Sequence, residues 1–239
     1  MTGRLIGVGL GPGDPELLTI KAARLISEAG VIAYPAPEGA ESFARSIAAN
    51  HISDEAEEIR IEVPMVSARE PAQAAYDRAA DTMAVHLEAG RDVVTLCEGD
   101  PLFYGSFMYM LARLTPRFAV CIVPGVSSLV ASAAALARPL AARDGTLTVI
   151  PATLDDASLA ERVHQAEAMA FVKVGRHLGR VRRILDAAGL SASAGYIERA
   201  SLAEERVMPL ADAPDPAPYF SMVLAARGSD PWLSEAARG

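Results

Sequence analysis

A run of glycines and prolines near the start of the chain has the composition of a ligand-binding turn. The run Gly7-Val8-Gly9-Leu10-Gly11-Pro12-Gly13-Asp14-Pro15 follows an apolar stretch and precedes a helical pattern. Glycines let the backbone adopt positive φ and approach a ligand closely, and the N–H groups at a helix start favour a ligand rich in acceptors. Asp14 is placed to cap the helix, and Pro15 suits its first position. The spacing is neither the dinucleotide fingerprint nor a phosphate loop, because Pro12 or Asp14 stands where the last glycine should be and no Gly-Lys-Ser/Thr follows.

Two later junctions have the same character. Cys97-Glu98-Gly99-Asp100-Pro101 closes an apolar run and repeats Gly-Asp-Pro, so Asp100 is either a helix cap or a ligand contact. In Val123-Pro124-Gly125-Val126-Ser127-Ser128, either serine could cap a helix or meet a ligand. In open α/β sheets, ligands bind outside the carboxyl ends of the strands. Three glycine-bearing turns at such ends therefore indicate a binding site.

The elements that would carry these turns alternate along the first half of the chain, which predicts a parallel sheet covered by helices. After Pro139 strands predominate, which predicts a second α/β domain with a more mixed sheet. The predicted domains are residues 1–123 and 124–239. The predicted strands are Leu5–Leu10, Val31–Tyr34, Ile59–Val63, Asp92–Cys97, Ala119–Val123, Leu147–Ile150, Ala170–Val174, Ala194–Glu198, Arg206–Met208 and Phe220–Ala226. The predicted helices are Pro15–Ala29, Glu41–Asn50, Glu70–Ala89, Phe103–Leu114, Ser158–Ala166 and Leu178–Ala188, with a small-residue helix after Ser128.

Composition narrows the classes of partner. The 239 residues are 51% hydrophobic and 22% charged, with a formal net charge of −8. An acidic balance argues against nucleic acid as a partner. The four histidines show no metal-ligand spacing, so no metal site is predicted. The apolar stretch Phe118–Ala137 is interrupted by Pro124-Gly125 and followed by serines, so no membrane span is expected. With no signal peptide apparent and two cysteines in apolar runs, a cytoplasmic protein is expected.

Four stretches together resemble the tetrapyrrole methylase family, the class III methyltransferases that depend on S-adenosylmethionine (SAM). They occur in the family's order over nearly the whole chain, and the combination is more specific than any one piece. The stretches are GVGLGPGDPELLTIKA, LCEGDPLFYGSF, VPGVSSLVASAAALARPL, and YIERAS with YFSMVLAARG.

The resemblance implies two α/β domains with a trough between them, a homodimer, and SAM bound in a folded shape, with S-adenosylhomocysteine as product. Val174 stands where the family often has methionine, so its contact with SAM would be made by the backbone. Carried over position by position, the implied SAM contacts are Pro12, Glu98, Gly99, Asp100, Phe103, Ser127, Ser128, Val174 and Ala200.

Within the family, GDPLFYGSF, VPGVSS and YFSMVL are similar to the branch that methylates carbon 20 of precorrin-2, giving precorrin-3A in cobalamin biosynthesis, a branch of porphyrin-type metabolism. That branch includes enzymes of cobalt-factor II, so the metal content of the substrate stays open. Glu98, Asp100 and Tyr104 are candidates for the base that removes the carbon 20 proton, and no spacing selects among them. Four arginines that follow ligand-edge motifs are candidates for binding the substrate carboxylates: Arg138, Arg143, Arg176 and Arg199.

Other hypotheses remain. Within the superfamily the substrate could be uroporphyrinogen III, a later precorrin, ribosomal RNA or a translation elongation factor, although the acidic charge weighs against RNA. A nucleotide-binding oxidoreductase would bind NAD rather than SAM. A scaffold without activity would bind tetrapyrrole without turnover.

Overall fold

A computed structural model describes residues 1–64 and 69–228. The chain divides into two compact units, Met1–Ser127 and the remainder from Ser128. The boundary predicted from the sequence lies between residues 123 and 124, at the start of the turn that precedes Ser128. None of the described helices has the length and apolar character needed to cross a bilayer.

The first unit is a five-stranded, all-parallel sheet in the order β3-β2-β4-β1-β5. Helices α1 and α2 pack on one face, and α3 and α4 pack on the other. Every residue of the interior strand β1 is buried, because both faces of the sheet are covered, and the strand is therefore apolar throughout. The elements are β1 (Leu5–Gly9), α1 (Ile20–Ser27), β2 (Val31–Pro37), α2 (Phe43–Ala48), β3 (Glu57–Val63), α3 (Arg69–Glu88), β4 (Val93–Cys97), α4 (Phe107–Leu114) and β5 (Val120–Val123).

The second unit has a mixed sheet in the order β6-β7-β10-β8-β9, parallel only between β6 and β7. Buried leucines and valines of α6 and α7 pack against this sheet and form a separate core. The predicted change from a parallel to a mixed sheet is confirmed. The elements are α5 (Ser128–Ala135), β6 (Leu147–Pro151), α6 (Asp156–Gln165), β7 (Ala168–Val172), α7 (Leu178–Ala187), β8 (Gly195–Glu198), β9 (Arg206–Pro209) and β10 (Ser221–Ala226).

Two predicted helices begin a full helical turn or more later than the sequence suggested. Pro15–Leu17 forms only a 3-10 turn; Leu18 and Thr19 are extended, and the Thr19 hydroxyl accepts the Ala22 N–H at the start of α1. Asp14 caps this 3-10 turn by accepting the Glu16 N–H, with Pro15 at its first position as predicted, whereas the cap of the α-helix itself is Thr19.

The helix predicted from Phe103 begins instead at Phe107. Tyr104 has a φ of 57°, in the left-handed region, and this conformation ends any helix that starts before it. Phe103 and Tyr104 therefore belong to the turn that follows β4, where they can be reached by a ligand.

Candidate functional site

Strand order brings the three predicted turns to one edge of the first sheet. β1 lies between β4 and β5, and all three run parallel. The turns after these strands therefore lie side by side, at what is called here the carboxyl edge. The chain leaves β1 in one direction, towards β2 and β3, and later crosses back to β5 on the other side. Such a reversal of strand order is where open α/β sheets bind ligands.

The backbones of the three turns meet at Gly9, Gly99 and Gly125, called here the three-glycine contact. A Cβ on Gly9 would lie 2.5 Å from the Gly125 nitrogen and 2.8 Å from the Gly99 oxygen. A Cβ on Gly125 would overlap the Gly99 oxygen. Gly11 and Gly99 also exchange backbone hydrogen bonds across the edge, at 3.3 and 2.7 Å. Gly9 and Gly125 are therefore required by close backbone approach, whereas Gly99 is favoured by its positive φ of 65°.

Asp100 links the second turn to the third. Its Oδ1 accepts the Leu102 N–H at 2.9 Å, and its Oδ2 accepts the Gly125 N–H at 3.1 Å. The first bond is a local Asx turn, whereas the second joins residues 25 positions apart in the sequence. The hypothesis that Asp100 caps a helix is wrong, because Ser106 occupies the cap position of α4. The contacts of Asp100 are those of a residue that holds two binding turns together.

Glu98, the first residue after β4, is partly buried. Burial raises the pKa of its carboxyl above the ordinary value, while the backbone N–H of Ala44 in α2 opposes the shift. A carboxyl whose pKa is raised by burial, at the edge where ligands bind, is a candidate for a functional group.

The remaining predicted contacts of the first unit lie on the same three turns. Pro12 is partly buried and follows Gly11, whose φ is 79°. Phe103 is partly buried and packs edge-on against the exposed Tyr104, with ring centroids 5.1 Å apart. Ser127 is partly buried and lies just before α5, so its hydroxyl can be reached at the end of the third turn. Ser128 follows directly as the first residue of α5 and of the second unit, and it is exposed.

In the second unit, Val174 and Ala200 follow β7 and β8. Both strands pair antiparallel with β10, so they run in the same direction and end at the same edge of the second sheet. The Val174 side chain is fully buried in the core, so a contact with a ligand at this position would be made by its backbone. Ala200 is partly buried, in a turn between Arg199 and Ser201.

The four candidate arginines differ in what they contact. The Arg138 guanidinium donates to the carbonyls of Ser193 and Leu224, the latter at 3.4 Å. These bonds occupy the Arg138 guanidinium and brace the second unit, while the role of Arg138 in binding substrate carboxylates stays a prediction. Arg176 is exposed beside His177, Arg143 is exposed, and Arg199 is partly buried.

Backbone strain concentrates at the predicted site positions, a feature that the sequence did not reveal. Among described residues other than glycine, six have positive φ, and each is a predicted site residue or a direct neighbour of one. Such conformations cost about 1–3 kcal/mol each and persist where the surrounding structure enforces them, often at functional sites. The six residues are Tyr104, Ala137, Arg143, Lys173, Arg199 and Ser201.

The family model of the tetrapyrrole (corrin/porphyrin) methylases matches residues 4–214. The chain therefore belongs to the tetrapyrrole methylase family, whose methyl donor is SAM. Family membership, the two-sheet α/β fold, the methyltransferase class and SAM as cofactor are thus confirmed. The three-glycine contact brings the three turns together at the carboxyl edge, where open α/β sheets bind their ligands.

Several proteins resemble the chain over nearly its whole length. The cobalamin biosynthesis protein CobIJ of Mycobacterium tuberculosis is 46% identical over 235 residues, which are 95% of this chain but 46% of that protein. The chain thus spans about half the length of that relative. The precorrin-2 C(20)-methyltransferase of Sinorhizobium sp. is 40% identical, covering 93% of this chain and 94% of the relative. The cobalt-precorrin-2 C(20)-methyltransferase of Salmonella typhimurium is 30% identical, covering 94% and 96%.

Solved structures show the same fold. The cobalt precorrin-4 methyltransferase CbiF superposes with a TM-score of 0.71 at 24% identity, covering 96% of this chain and 95% of that one. A uroporphyrin-III C-methyltransferase from Thermus thermophilus, complexed with S-adenosylhomocysteine, gives a TM-score of 0.68 at 23% identity, covering 98% and 100%.

Proposed function

We propose that the protein transfers the methyl group of SAM to carbon 20 of precorrin-2 and so forms precorrin-3A in cobalamin biosynthesis. The observation that carries the proposal is end-to-end similarity to a precorrin-2 C(20)-methyltransferase, at 40% identity over 93% of this chain and 94% of that one. The carboxyl edge supplies a physical reason, because its three turns meet where open α/β sheets bind their ligands.

SAM, when bound, supplies an electrophilic methyl group on a sulfonium. The chain's main task is then to place donor and acceptor in line, a role that can lower a barrier by roughly 7–11 kcal/mol in favourable cases. We assign the donor to the edge turns, with Pro12, Gly99, Phe103, Ser127 and Ser128 as its contacts. Glu98 and Asp100 lie among these contacts, and the backbone of Val174 together with Ala200 would add contacts from the second unit.

Proton removal from carbon 20 needs a base. Asp100 already accepts two backbone N–H groups, and Tyr104 lies on an exposed turn. Glu98 combines a raised pKa with a place at the carboxyl edge, so we propose it as the base. Glu98→Gln should lower kcat more than tenfold and weaken the binding of S-adenosylhomocysteine by a much smaller factor. Equal losses in both would contradict the assignment.

The substrate bears several carboxylates, which arginine is suited to pair with. We propose Arg143, Arg176 and Arg199 for this role. Arg138 is the least suited of the four, since its guanidinium is already bonded to backbone carbonyls.

A cobalt-containing substrate is the second candidate, supported by 30% identity to a cobalt-precorrin-2 C(20)-methyltransferase. The higher identity to the enzyme named for precorrin-2 itself favours the metal-free substrate. Uroporphyrinogen III and later precorrins are the alternatives within the family. A homodimer and a cytoplasmic location accompany the proposal.

The test is anaerobic incubation of the purified protein with SAM and precorrin-2, cobalt-factor II or uroporphyrinogen III, followed by mass spectrometry. Gain of one methyl group on precorrin-2, located at carbon 20 by NMR, would support the proposal. Faster turnover of cobalt-factor II would favour the second candidate. Methylation of uroporphyrinogen III alone would overturn the proposed substrate and leave the family unchanged.

A further inference from the structure

The last residue of β8 places a carboxylate inside the second unit. Glu198 is only 2% exposed, and two residues earlier on the same face lies the fully buried Tyr196. The Tyr196 hydroxyl donates to Glu198 Oε2 at 2.6 Å. Burial and this hydrogen bond raise the pKa of Tyr196 to about 12, so the phenol stays protonated and continues to donate.

Groups on both neighbouring strands meet this pair. In the sheet register Glu198 lies opposite Ser221 of β10 on one side and Arg206 of β9 on the other. The Ser221 hydroxyl lies 3.0 Å from the Tyr196 oxygen and donates to the Pro218 carbonyl at 2.8 Å. Arg206 donates to Glu198 Oε1 at 3.2 Å. The carboxylate therefore joins the end of β8 to the start of β9, and the Tyr196 hydroxyl connects it to Ser221 at the start of β10.

The turn that leaves β8 is strained and begins at the residue after Glu198. Arg199 and Ser201 have φ of 54° and 69°, and Ala200 lies between them. The Arg199 N–H donates to the Phe220 carbonyl at 2.7 Å, which ties the turn to the segment before β10. The same segment contains Pro218, whose carbonyl receives the Ser221 hydroxyl. The buried network and the strained turn are therefore both hydrogen-bonded to the segment that precedes β10.

Burying an ion pair contributes little to stability, because desolvation offsets most of the attraction, and an apolar replacement is often at least as stable. A stable sheet end does not need Glu198. A turn with two left-handed residues does need neighbours that enforce its shape. The network includes the residue that directly precedes this turn, so it can hold the turn in its conformation.

We propose that Glu198, with Tyr196 and Ser221, is a positioning residue that fixes the turn Arg199–Ser201 in the conformation that receives SAM. The inference rests on the assignment of Ala200 as a SAM contact. The competing role is purely structural, in which the network stabilises the second sheet and has no effect on the cofactor.

Glu198→Gln separates the two roles. The amide keeps an acceptor for Tyr196 but turns an NH₂ group towards Arg206, so the pairing on the β9 side is lost. We expect the dissociation constant of S-adenosylhomocysteine, measured by calorimetry, to rise about tenfold, the scale of one lost hydrogen bond to a charged group. The KM for SAM should rise by a similar factor, while kcat at saturating SAM changes by less than about threefold.

Val181→Ala is the matched control, because Val181 is a fully buried core residue of α7 that takes no part in the network. It should lower the midpoint of thermal unfolding and leave the dissociation constant unchanged. Ser221→Ala removes one hydroxyl from the network and should weaken binding in the same direction by a smaller factor. If Glu198→Gln does not fold, Ser221→Ala and Tyr196→Phe take its place in the comparison.

Wild-type affinity in Glu198→Gln, together with a lowered unfolding midpoint, would overturn the positioning role and leave the proposed function intact. Failure of the wild-type protein to bind S-adenosylhomocysteine would instead refute the proposed function. An affinity loss in Val181→Ala equal to that in Glu198→Gln would show that general destabilisation, and not the network, is responsible.

Discussion

Replacing Asp100 by asparagine tests whether its carboxylate holds the binding turns in place. Both carboxylate oxygens accept backbone N–H groups, from Leu102 at 2.9 Å and from Gly125 at 3.1 Å. Asparagine offers one oxygen and one NH₂ group. One of the two N–H groups must then face a donor, and the distant bond to Gly125 is the more easily lost because the Leu102 bond is local.

The magnitude follows from the lost bond. A hydrogen bond to a charged group contributes about 1.5–3 kcal/mol, and Asp100 is partly exposed, so we expect the free energy of unfolding to fall by about 2 kcal/mol. For a chain of this size, each kcal/mol lowers the unfolding midpoint by about 2–4 °C. If about 1.4 kcal/mol of the change appears as loosening of the third turn, SAM binds about tenfold more weakly.

The assay combines thermal unfolding with calorimetric titration of SAM. Asp155→Asn is the control, because Asp155 caps α6 by accepting the Ser158 N–H, and asparagine caps a helix about as well as aspartate. The control should leave both quantities nearly unchanged. Wild-type unfolding and wild-type affinity in Asp100→Asn would refute the assignment of Asp100 as the link between the turns.

Three further predictions concern glycine, charge and arginine. Gly125→Ala should lower the free energy of unfolding by about 3 kcal/mol or more and abolish SAM binding, because its Cβ would overlap a carbonyl oxygen. Gly30→Ala is the control and should be nearly neutral, because a Cβ on Gly30 has open space. Both variants are measured by thermal unfolding and by titration with SAM. Hydrogen bonding to Arg45 lowers the pKa of Glu58, so this pair's stabilisation is present above pH 4.5 and lost as pH falls through the lowered pKa. Glu58→Gln should therefore reduce stability to urea by about 0.5–1 kcal/mol at pH 7 and much less near pH 2.5, and an equal loss at both pH values would contradict this account. Arg138→Ala should lower the unfolding midpoint and leave the KM for tetrapyrrole unchanged, and a raised KM with normal stability would restore its predicted role in binding substrate.

The large-scale architecture could be predicted because it depends on patterns within each segment. A strand that is apolar throughout, such as Leu5–Gly9, indicates burial on both faces and hence a parallel sheet. A strand with alternating exposure, such as Glu57–Val63, lies at the edge of the sheet, where charged residues limit pairing with other chains. Both features are visible in a single stretch of sequence.

The details of the site could not be predicted because they depend on contacts between distant segments. The Gly-Asp-Pro motif indicated a helix cap at Asp100, but the partner of its second oxygen is in another turn. Positive φ is not typical of tyrosine, arginine or serine, so the sequence does not predict it at Tyr104, Arg199 and Ser201. The surrounding structure imposes the turns that these residues form. The motifs YFSMVL and YIERAS contain Ser221 and Glu198, but they give no sign that the two residues are neighbours. Only the sheet register shows that they lie opposite each other.

The three-glycine contact also bears on when the protein becomes able to bind its cofactor during synthesis. Gly9 is synthesised before Gly125, and four strands lie between them in the sequence. The contact cannot form before β5 pairs with β1. Contacts between such distant segments must overcome loop-closure entropy and are made slowly. We therefore expect nascent chains stalled before the third turn to contain helices and strands yet fail to retain SAM, so that cofactor retention would report on completion of the whole first unit.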